Sequence, residues 1–164
     1  MDLLKGNFLI NTKEEAVISN EIFRDAEYVG LYFSASWCPP CQTFLPLLKR
    51  LYQDAHLRQV KLEIIFIPSD TDEHKMTRFF VEKHGPWYAL PIGPVSLSLR
   101  KKFQIHNIPK LIILDNTGKI VTNQAREDIE TCDDPLSKWF PNLNEKQLVE
   151  DEASIIGSSK KTIS

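Results

Sequence analysis

The feature that most constrains the fold is a change of hydrophobic period around residues 37–41. Residues 28–36 read YVGLYFSAS, a run rich in aromatic and aliphatic side chains that carries no charge. Such a run, at strand length, predicts a central strand that is buried on both faces. It continues into WCPPC (37–41), and the apolar residues that follow have the i, i+3, i+4 spacing of an amphipathic helix: Phe44, Leu47, Leu48, Leu51, Tyr52 and Ala55. A buried strand that leads directly into a helix is typical of an α/β domain.

The next part of the chain repeats this alternation of strand and helix. Residues 62–68 are apolar and predict a second buried strand. Ser69 or Asp70 is a candidate N-cap for a helix that follows and ends near Gly85. The proline-rich residues 86–94 predict no regular structure. Because a helix links the first two buried strands, we expect them to pair in parallel with a right-handed crossover.

The second half of the chain predicts a hairpin. A short helix at 95–105 precedes two strands within 108–123, which an Asn-Thr-Gly sequence joins. Weaker patterns predict an edge strand at 8–11, a helix at 14–24 and loose helical structure at 127–143. The fold class predicted from these elements is an α/β sandwich whose mixed central sheet has the late hairpin at one edge.

Composition limits the size and setting of the protein. The 164 residues fit one domain, which we assign to 1–143, and the polar residues 144–164 are predicted to be a disordered tail. A net charge of −2 gives no basic footprint for nucleic acid or for an anionic membrane. The apolar runs are far shorter than the ~20 residues that span a bilayer, and the first residues predict no secretory signal. We therefore expect a soluble cytoplasmic protein, with the nucleus as a second location.

Cys38 and Cys41 form a C-x-x-C pair at the junction of the predicted strand and helix. The first thiol then lies at a helix N-terminus, where free N–H groups and the macrodipole favour a thiolate, the attacking species in disulfide exchange. The second thiol, one turn further, is placed to resolve a mixed disulfide. The alternatives are half of a zinc site and two packed cysteines. A structural zinc site needs four ligands and the chain has no second C-x-x-C pair, so redox chemistry is favoured and no metal is expected.

Ile108-Pro109 opens the first strand of the predicted hairpin. Proline is tolerated at the first residue of a strand, and it also admits a cis bond. Base rates favour an ordinary trans bond, so the residues alone do not establish the cis form.

Several separate motifs resemble one family. The segments YFSASWCPPC, KHGPWYALP, LRKKF and IPKLIILD resemble the tryparedoxin and nucleoredoxin family of the thioredoxin-like superfamily, with the nucleoredoxin-like proteins most similar. The resemblance covers about residues 8–142. It implies a thioredoxin-like three-layer α/β/α sandwich in which Pro109 is cis and faces the two cysteines. It also implies that Ile108 presents its backbone to a substrate, and that Arg126 and Trp87 lie beside the substrate groove. A core position is an equal alternative for Trp87.

The chain departs from the thioredoxin pattern where a proton acceptor is expected. Thioredoxins carry a buried aspartate six residues before the first cysteine, and Tyr32 stands there instead. Tyr32 and the more distant Asp70 are therefore the candidates for a proton relay to Cys41, although Asp70 fits a helix cap equally well. The Ser69-Asp70-Thr71-Asp72 segment lacks the tryptophan that tryparedoxins carry, which weakens the case for a trypanothione-type substrate.

The remaining candidates surround the cysteines. Trp37 is a candidate wall of the docking surface, or else it packs partly on the sheet edge, and Pro39 and Pro40 complete the same surface. Cys132 lies among acidic residues that disfavour its thiolate, so we interpret it as a bystander. The four histidines share no spacing and are interpreted as surface or helix-end residues.

These features predict a thiol–disulfide oxidoreductase that reduces disulfides in protein substrates. Cys38 is the expected nucleophile and Cys41 the resolving thiol. We expect no bound cofactor, because no glycine-rich nucleotide motif follows the first buried strand. The Cys38–Cys41 disulfide would be recharged by an external dithiol or a reductase, and the protein would act as a monomer. The alternative is a redox-sensing regulatory module that grips a signalling client in the same groove.

Overall fold

A computed structural model of the chain describes residues 2–143. The strands are β1 (Phe8–Ile10), β2 (Ala16–Ile18), β3 (Tyr28–Ser34), β4 (Leu62–Pro68), β5 (Tyr88–Ala89), β6 (Lys110–Asp115) and β7 (Ile120–Thr122). The helices are α1 (Ser19–Phe23), α2 (Pro39–Leu57), α3 (Glu73–Lys83), α4 (Pro94–Lys102), α5 (Ala125–Thr131) and α6 (Pro135–Trp139). The predicted tail, 144–164, lies outside the described residues.

Within these residues the strands form one mixed sheet in the order β2-β1-β5-β4-β3-β6-β7. β3 pairs in parallel with β4 and antiparallel with β6, and the β6–β7 hairpin closes one edge of the sheet. The parallel pairing, the mixed sheet and the hairpin edge are as predicted. None of the helices in this part of the chain is long and apolar enough to cross a bilayer.

Side chains of β3 alternate between two apolar layers, which explains why the strand is buried on both faces. Tyr32 points into a core formed with α2, α3, α5 and α6, where Phe44 and Phe80 are buried. Leu31 and Phe33 point the other way, into a core closed by α1 and α4. Helices therefore cover both faces of the sheet, and the three-layer α/β/α sandwich is confirmed.

Three of the weaker predictions are wrong in detail. Residues 14–24 were expected to form a helix, but they contain β2 and only a short helix, α1, because residues 16–18 pair with β1. β1 is not the edge strand, since β2 lies outside it. Residues 88–89, expected to be irregular, form β5 and pair with both β4 and β1.

The parallel register of β3 and β4 positions the candidate site. Ser34 and Pro68 are paired at the carboxyl ends of the two strands, and the N–H of Ser69 donates to the carbonyl oxygen of Ser34 at 2.9 Å. The residues that follow each strand, including Cys38 and Asp70, therefore lie at the same edge of the sheet. Carboxyl ends of adjacent parallel strands are where open α/β sheets place their functional residues.

Candidate active site

Cys38 stands where β3 has ended and α2 begins. It is the N-cap of α2, with an extended backbone, and Pro39 and Pro40 fill the first helical turn, where the missing proline N–H is not needed. Its Sγ atom accepts a hydrogen bond from the backbone N–H of Cys41 at 3.3 Å. A sulfur that accepts from the free N–H groups of a helix N-terminus is stabilised as an anion. The side chain is only 3% exposed, so a reacting group must approach it closely.

Cys41 lies one turn into the helix and is fully buried against Ala35 and Cys38. Burial raises the pKa of the Cys41 thiol to about 12, and its contact with Cys38 adds to the rise. Both cysteines are free thiols. The two sulfurs therefore occupy different environments: Cys38 meets a backbone donor at the helix end, whereas Cys41 stays protonated at neutral pH.

Two hydroxyl groups lie behind Cys41. Tyr32 and Ser34 occupy alternate positions of β3 and so project from the same face of the strand, toward α2. The Tyr32 hydroxyl donates to the carbonyl oxygen of Cys41 at 3.5 Å, and burial raises the tyrosine pKa far above its ordinary value. Tyr32 therefore lies beside Cys41 as a neutral hydrogen-bond donor.

The Ser34 hydroxyl is buried and has no full hydrogen-bond partner among the described residues. It nevertheless lies close enough to Cys41 and Tyr32 to lower the pKa of each. A buried hydroxyl is costly without a partner, so an unpartnered one beside a thiol is a group that can respond when the thiol changes charge. Sequence analysis did not single out Ser34. Its position two residues after Tyr32 on a buried strand is the signal that would have placed it on the Cys41 side.

Asp70 joins the two strand ends. Its buried carboxylate accepts the backbone N–H of Ser36, with both oxygens 3.2 Å from the nitrogen, and also accepts the Ser36 hydroxyl. The helix-cap alternative is wrong for Asp70, because the cap of α3 is Asp72, whose side chain accepts from the N–H of Lys75. Asp70 instead fixes the turn between β3 and Cys38.

A second chain segment approaches Cys38 from β6. The Ile108–Pro109 peptide bond is cis, as the family resemblance implied, and the carbonyl oxygen of Ile108 lies 3.8 Å from the Cys38 sulfur. Arg126 donates from Nη1 to the carbonyl oxygen of Pro109 at 3.2 Å, and its Nε pairs with Glu130 at 3.0 Å. The structure therefore brings Ile108, Pro109 and Arg126 together beside the cysteines.

Trp37 forms an exposed wall next to Cys38. Its side chain is 64% exposed and lines a groove of about 570 Å³ together with Ile105 and Ile108. The alternative that Trp37 packs on the sheet edge is therefore wrong. Pro39 and Pro40 are exposed beside it, so an open surface surrounds the slightly accessible sulfur.

Trp87 does not line this groove, and its assignment there is corrected. It is 1% exposed, its indole N–H donates to Nδ1 of His84 at 3.1 Å, and its ring packs edge-on against Tyr52. A tryptophan can be buried completely once its single donor has a buried acceptor, and His84 supplies that acceptor. His84 does stand at the end of α3, as expected, but it is buried rather than exposed.

The other sequence candidates lie elsewhere. Cys132 follows α5 and is partly buried, with its sulfur 4.0 Å from a carboxylate oxygen of Asp128. Among the described residues, no group of three or more histidine, cysteine, aspartate or glutamate side chains could hold a metal ion.

A sequence profile described as thioredoxin-like matches residues 25–120. The chain belongs to the thioredoxin-like family. The tryparedoxin of Trypanosoma brucei brucei is 38% identical over 116 residues, which cover 69% of this chain and 77% of that protein. The nucleoredoxin of Danio rerio is 33% identical over 142 residues, which cover 85% of this chain but only 32% of that protein. The chain thus spans about a third of that nucleoredoxin.

Solved structures of thioredoxin-like proteins have the same fold. The thioredoxin of Wuchereria bancrofti matches with a TM-score of 0.72 at 30% identity, covering 84% of this chain and 96% of that one. A tryparedoxin II complexed with glutathionylspermidine matches with a TM-score of 0.70 at 31% identity, covering 82% and 90%. The predicted thioredoxin-like fold and the resemblance to tryparedoxins and nucleoredoxins are therefore confirmed, and the chain belongs to a family of redox proteins.

Proposed function

We propose that this thioredoxin-like protein is a thiol–disulfide oxidoreductase that reduces disulfides in proteins, with Cys38 as nucleophile and Cys41 as resolving thiol. One observation carries the proposal: the Cys38 sulfur accepts the N–H of Cys41 at the start of α2 while it faces the carbonyl oxygen of Ile108. A helix N-terminus favours the thiolate, and the segment at Ile108 offers backbone groups to an extended substrate.

The proposed reaction has two exchanges. The Cys38 thiolate attacks one sulfur of the substrate disulfide, which forms a mixed disulfide and releases the other substrate sulfur as a thiolate. Cys41 then loses its proton and attacks the Cys38 sulfur, which forms the Cys38–Cys41 disulfide and releases the second substrate thiolate. The substrate gains two electrons and, after protonation, two protons. The same two electrons are lost by the cysteine pair.

The oxidised pair must then be reduced by an external dithiol or reductase, through the same two steps in reverse. No bound cofactor is required, because the two electrons pass directly from the sulfur atoms of one thiol pair to those of another. The tryparedoxin II complexed with glutathionylspermidine shows that a low-molecular-weight thiol is held by one relative. We propose the cytoplasm as its location, with the nucleus as a second one, because a reducing compartment keeps its thiols free. We also propose that the protein acts as a monomer.

Reduction of insulin with a dithiol as the electron source tests this proposal. The wild-type chain should accelerate insulin precipitation catalytically, Cys38→Ser should abolish the acceleration, and Cys132→Ser should leave it unchanged. Catalytic turnover would exclude the alternative of a module that only senses redox state. A rate no greater than that of the dithiol alone would contradict the proposed activity.

Identification of the client requires a second experiment. In Cys41→Ser the mixed disulfide with Cys38 cannot be resolved, so it should accumulate and be recovered under non-reducing conditions. Cys38→Ser/Cys41→Ser is the matched control, because it presents the same surface without an attacking thiol. Adducts that appear equally in both variants would not be intermediates of the reaction.

A further inference from the structure

A second open groove in the described part of the chain lies away from the Trp37 groove. It has a volume of about 1020 Å³ and runs between α2 and the end of α3. We call it the α2–α3 groove. Its lining residues on α2 recur on one stripe of the helix: Gln42, Leu45, Pro46, Lys49, Arg50, Tyr52, Gln53 and His56. The groove is therefore an extended channel along the outside of α2.

The floor of the groove is apolar and firmly supported. Leu45, Tyr52 and Phe79 are buried residues that line it, and Pro46 and Pro86 are exposed along it. This floor is open to solvent and bounded by polar side chains, a combination that suits the binding of a partner.

Trp87 supports this floor from below. It packs edge-on against Tyr52, with ring centroids 5.2 Å apart. Gly85 also lines the groove, and a Cβ atom there would lie 2.4 Å from the Trp87 ring. A glycine is therefore required for the indole to lie directly beneath the groove.

The rim of the groove is basic. Lys49, Arg50 and Lys83 are exposed along it, and none of its lining residues is aspartate or glutamate. Within residues 2–143, none of the three makes an ion pair. Three unpaired cations around an apolar floor are complementary to a segment that carries both apolar and acidic side chains.

One end of the groove lies at the start of α2, close to the segment that carries Cys38. Gln42, at one end of it, directly follows Cys41 and donates from its side-chain amide to the carbonyl oxygen of Ser36 at 2.9 Å. His56, which also lines it, stands four turns further along the same helix. A polypeptide bound in the groove therefore approaches the residues next to Cys38 and Cys41.

We propose that the α2–α3 groove is an exosite that binds an acidic, amphipathic segment of the protein whose disulfide is reduced. This inference rests on the proposed function and names its substrate class. The substrates are disulfide proteins that carry a helical segment near their reactive cysteine, with apolar residues on one face of the helix and acidic residues beside them. The apolar side chains contact Leu45, Tyr52 and Phe79, and the carboxylates face Lys49, Arg50 and Lys83. The exosite adds affinity for the client and takes no part in the sulfur chemistry.

Two synthetic peptide disulfides test the exosite. Both carry the same disulfide, and one has an extension of leucine and glutamate at helical spacing whereas the other has lysine in place of glutamate. We expect kcat/KM for the acidic peptide to exceed that for the basic peptide about tenfold at low salt, and the ratio to shrink at high salt. Replacing the leucines of the acidic peptide by alanine should also remove most of its advantage.

Lys49→Glu/Lys83→Glu should abolish or invert the preference for the acidic peptide. Lys13→Glu/Lys102→Glu is the matched control, because it makes the same change in net charge at exposed residues that do not line the groove. Both variants should reduce 2-hydroxyethyl disulfide at the wild-type rate, because a molecule of this size cannot contact the exosite while it reacts with Cys38. Equal kcat/KM values for the two peptides, or a preference that survives Lys49→Glu/Lys83→Glu, would overturn the exosite while leaving the oxidoreductase intact.

Failure of the proposed function has a different signature. If the wild-type chain does not reduce 2-hydroxyethyl disulfide, the oxidoreductase proposal fails, and the exosite for a reduction client fails with it. Fluorescence anisotropy of the labelled acidic peptide with Cys38→Ser/Cys41→Ser then shows whether the groove binds peptides at all. Self-association of the chain that Lys49→Glu/Lys83→Glu abolishes would assign the groove to a second copy and overturn the proposal.

Discussion

The carboxylate of Asp70, at the end of one central strand, accepts the backbone N–H of Ser36, which follows the neighbouring strand. Ser36 directly precedes Trp37 and Cys38. Its carbonyl oxygen accepts a hydrogen bond from the side-chain amide of Gln42 in α2. The turn that carries the first thiol is thus fixed by a strand on one side and a helix on the other. This contact joins residues 34 positions apart in the chain.

Asp70→Ala should lower the free energy of unfolding by about 1–3 kcal/mol, because the Ser36 N–H loses its buried acceptor. Asp70→Asn keeps one acceptor oxygen and should recover part of that loss. Denaturant unfolding of the three proteins measures the effect. If Asp70 is also the proton acceptor for Cys41, Asp70→Asn would in addition slow release of the mixed disulfide more than tenfold.

The two thiols should react unequally. Cys38 is slightly accessible and meets the N–H of Cys41, whereas Cys41 is fully buried and burial raises its pKa to about 12. Iodoacetamide at neutral pH should therefore label Cys38 first, and peptide mass spectrometry reads the site. Unfolding in denaturant is the control, since it should make the two cysteines equal. Preferential labelling of Cys41 in the native protein would reverse the assignment of nucleophile and resolving thiol.

Ser34→Ala should slow the second exchange and spare the first. The Ser34 hydroxyl lowers the pKa of the Cys41 thiol, so its removal makes the Cys41 thiolate harder to form. A mixed disulfide of Cys38 with thionitrobenzoate releases its coloured thiol when Cys41 attacks. That release should slow about fivefold, as expected when the thiolate that forms on Cys41 loses a hydrogen bond worth about 1 kcal/mol.

Tyr32→Phe is the matched variant for this measurement, because it removes the other hydroxyl on the same strand face. Burial keeps Tyr32 protonated, and its hydroxyl contacts the carbonyl oxygen of Cys41 rather than the sulfur. We expect release within about threefold of wild type. A hundredfold loss in a folded Tyr32→Phe protein would show that the tyrosine takes part in the proton transfer.

His84 should make the fold sensitive to acid. Burial lowers its pKa from 6.5 to about 3, so the folded state favours the neutral ring. The stability that goes with the neutral ring is therefore fully present above pH 6.5 and is lost as the pH falls toward 3, by an amount on the order of 5 kcal/mol. His84→Gln, which lacks the titrating group, should lose less stability across this window. His106→Gln, at an exposed position, should follow wild type. Parallel pH profiles for wild type and His84→Gln would contradict the assignment.

The sequence predicts those parts of the fold that local pattern determines. The runs at β3 and β4 are apolar on both faces, and the stripe on α2 has a helical period, so these elements and the position of the cysteines follow from the chain alone. β2 and β5 do not, because each has two or three residues and exists only through pairing with β1 or β4. Contacts between distant residues decide such short strands, and a local pattern does not contain them.

The candidate site divides in the same way. Cys38 and Cys41 follow from one motif, and Pro109 and Arg126 followed from resemblance. Asp70 could be named but not given its partner, since Ser36 and Asp70 approach each other only when β3 and β4 pair. For Trp87 the groove and the core were both open, because its burial depends on the acceptor nitrogen of His84, which no spacing rule predicts.

The close approach of Gly85 to Trp87 has a consequence for tracing the ancestry of such proteins. A methyl group at position 85 would collide with the indole ring, so a larger residue at 85 requires an adjustment of Trp87. The pair should consequently be inherited together, as a mark of the scaffold beneath α2 and not of sulfur chemistry. Homologues that retain both residues but have lost a cysteine would be the place to look for descendants that still bind clients and no longer exchange electrons with them.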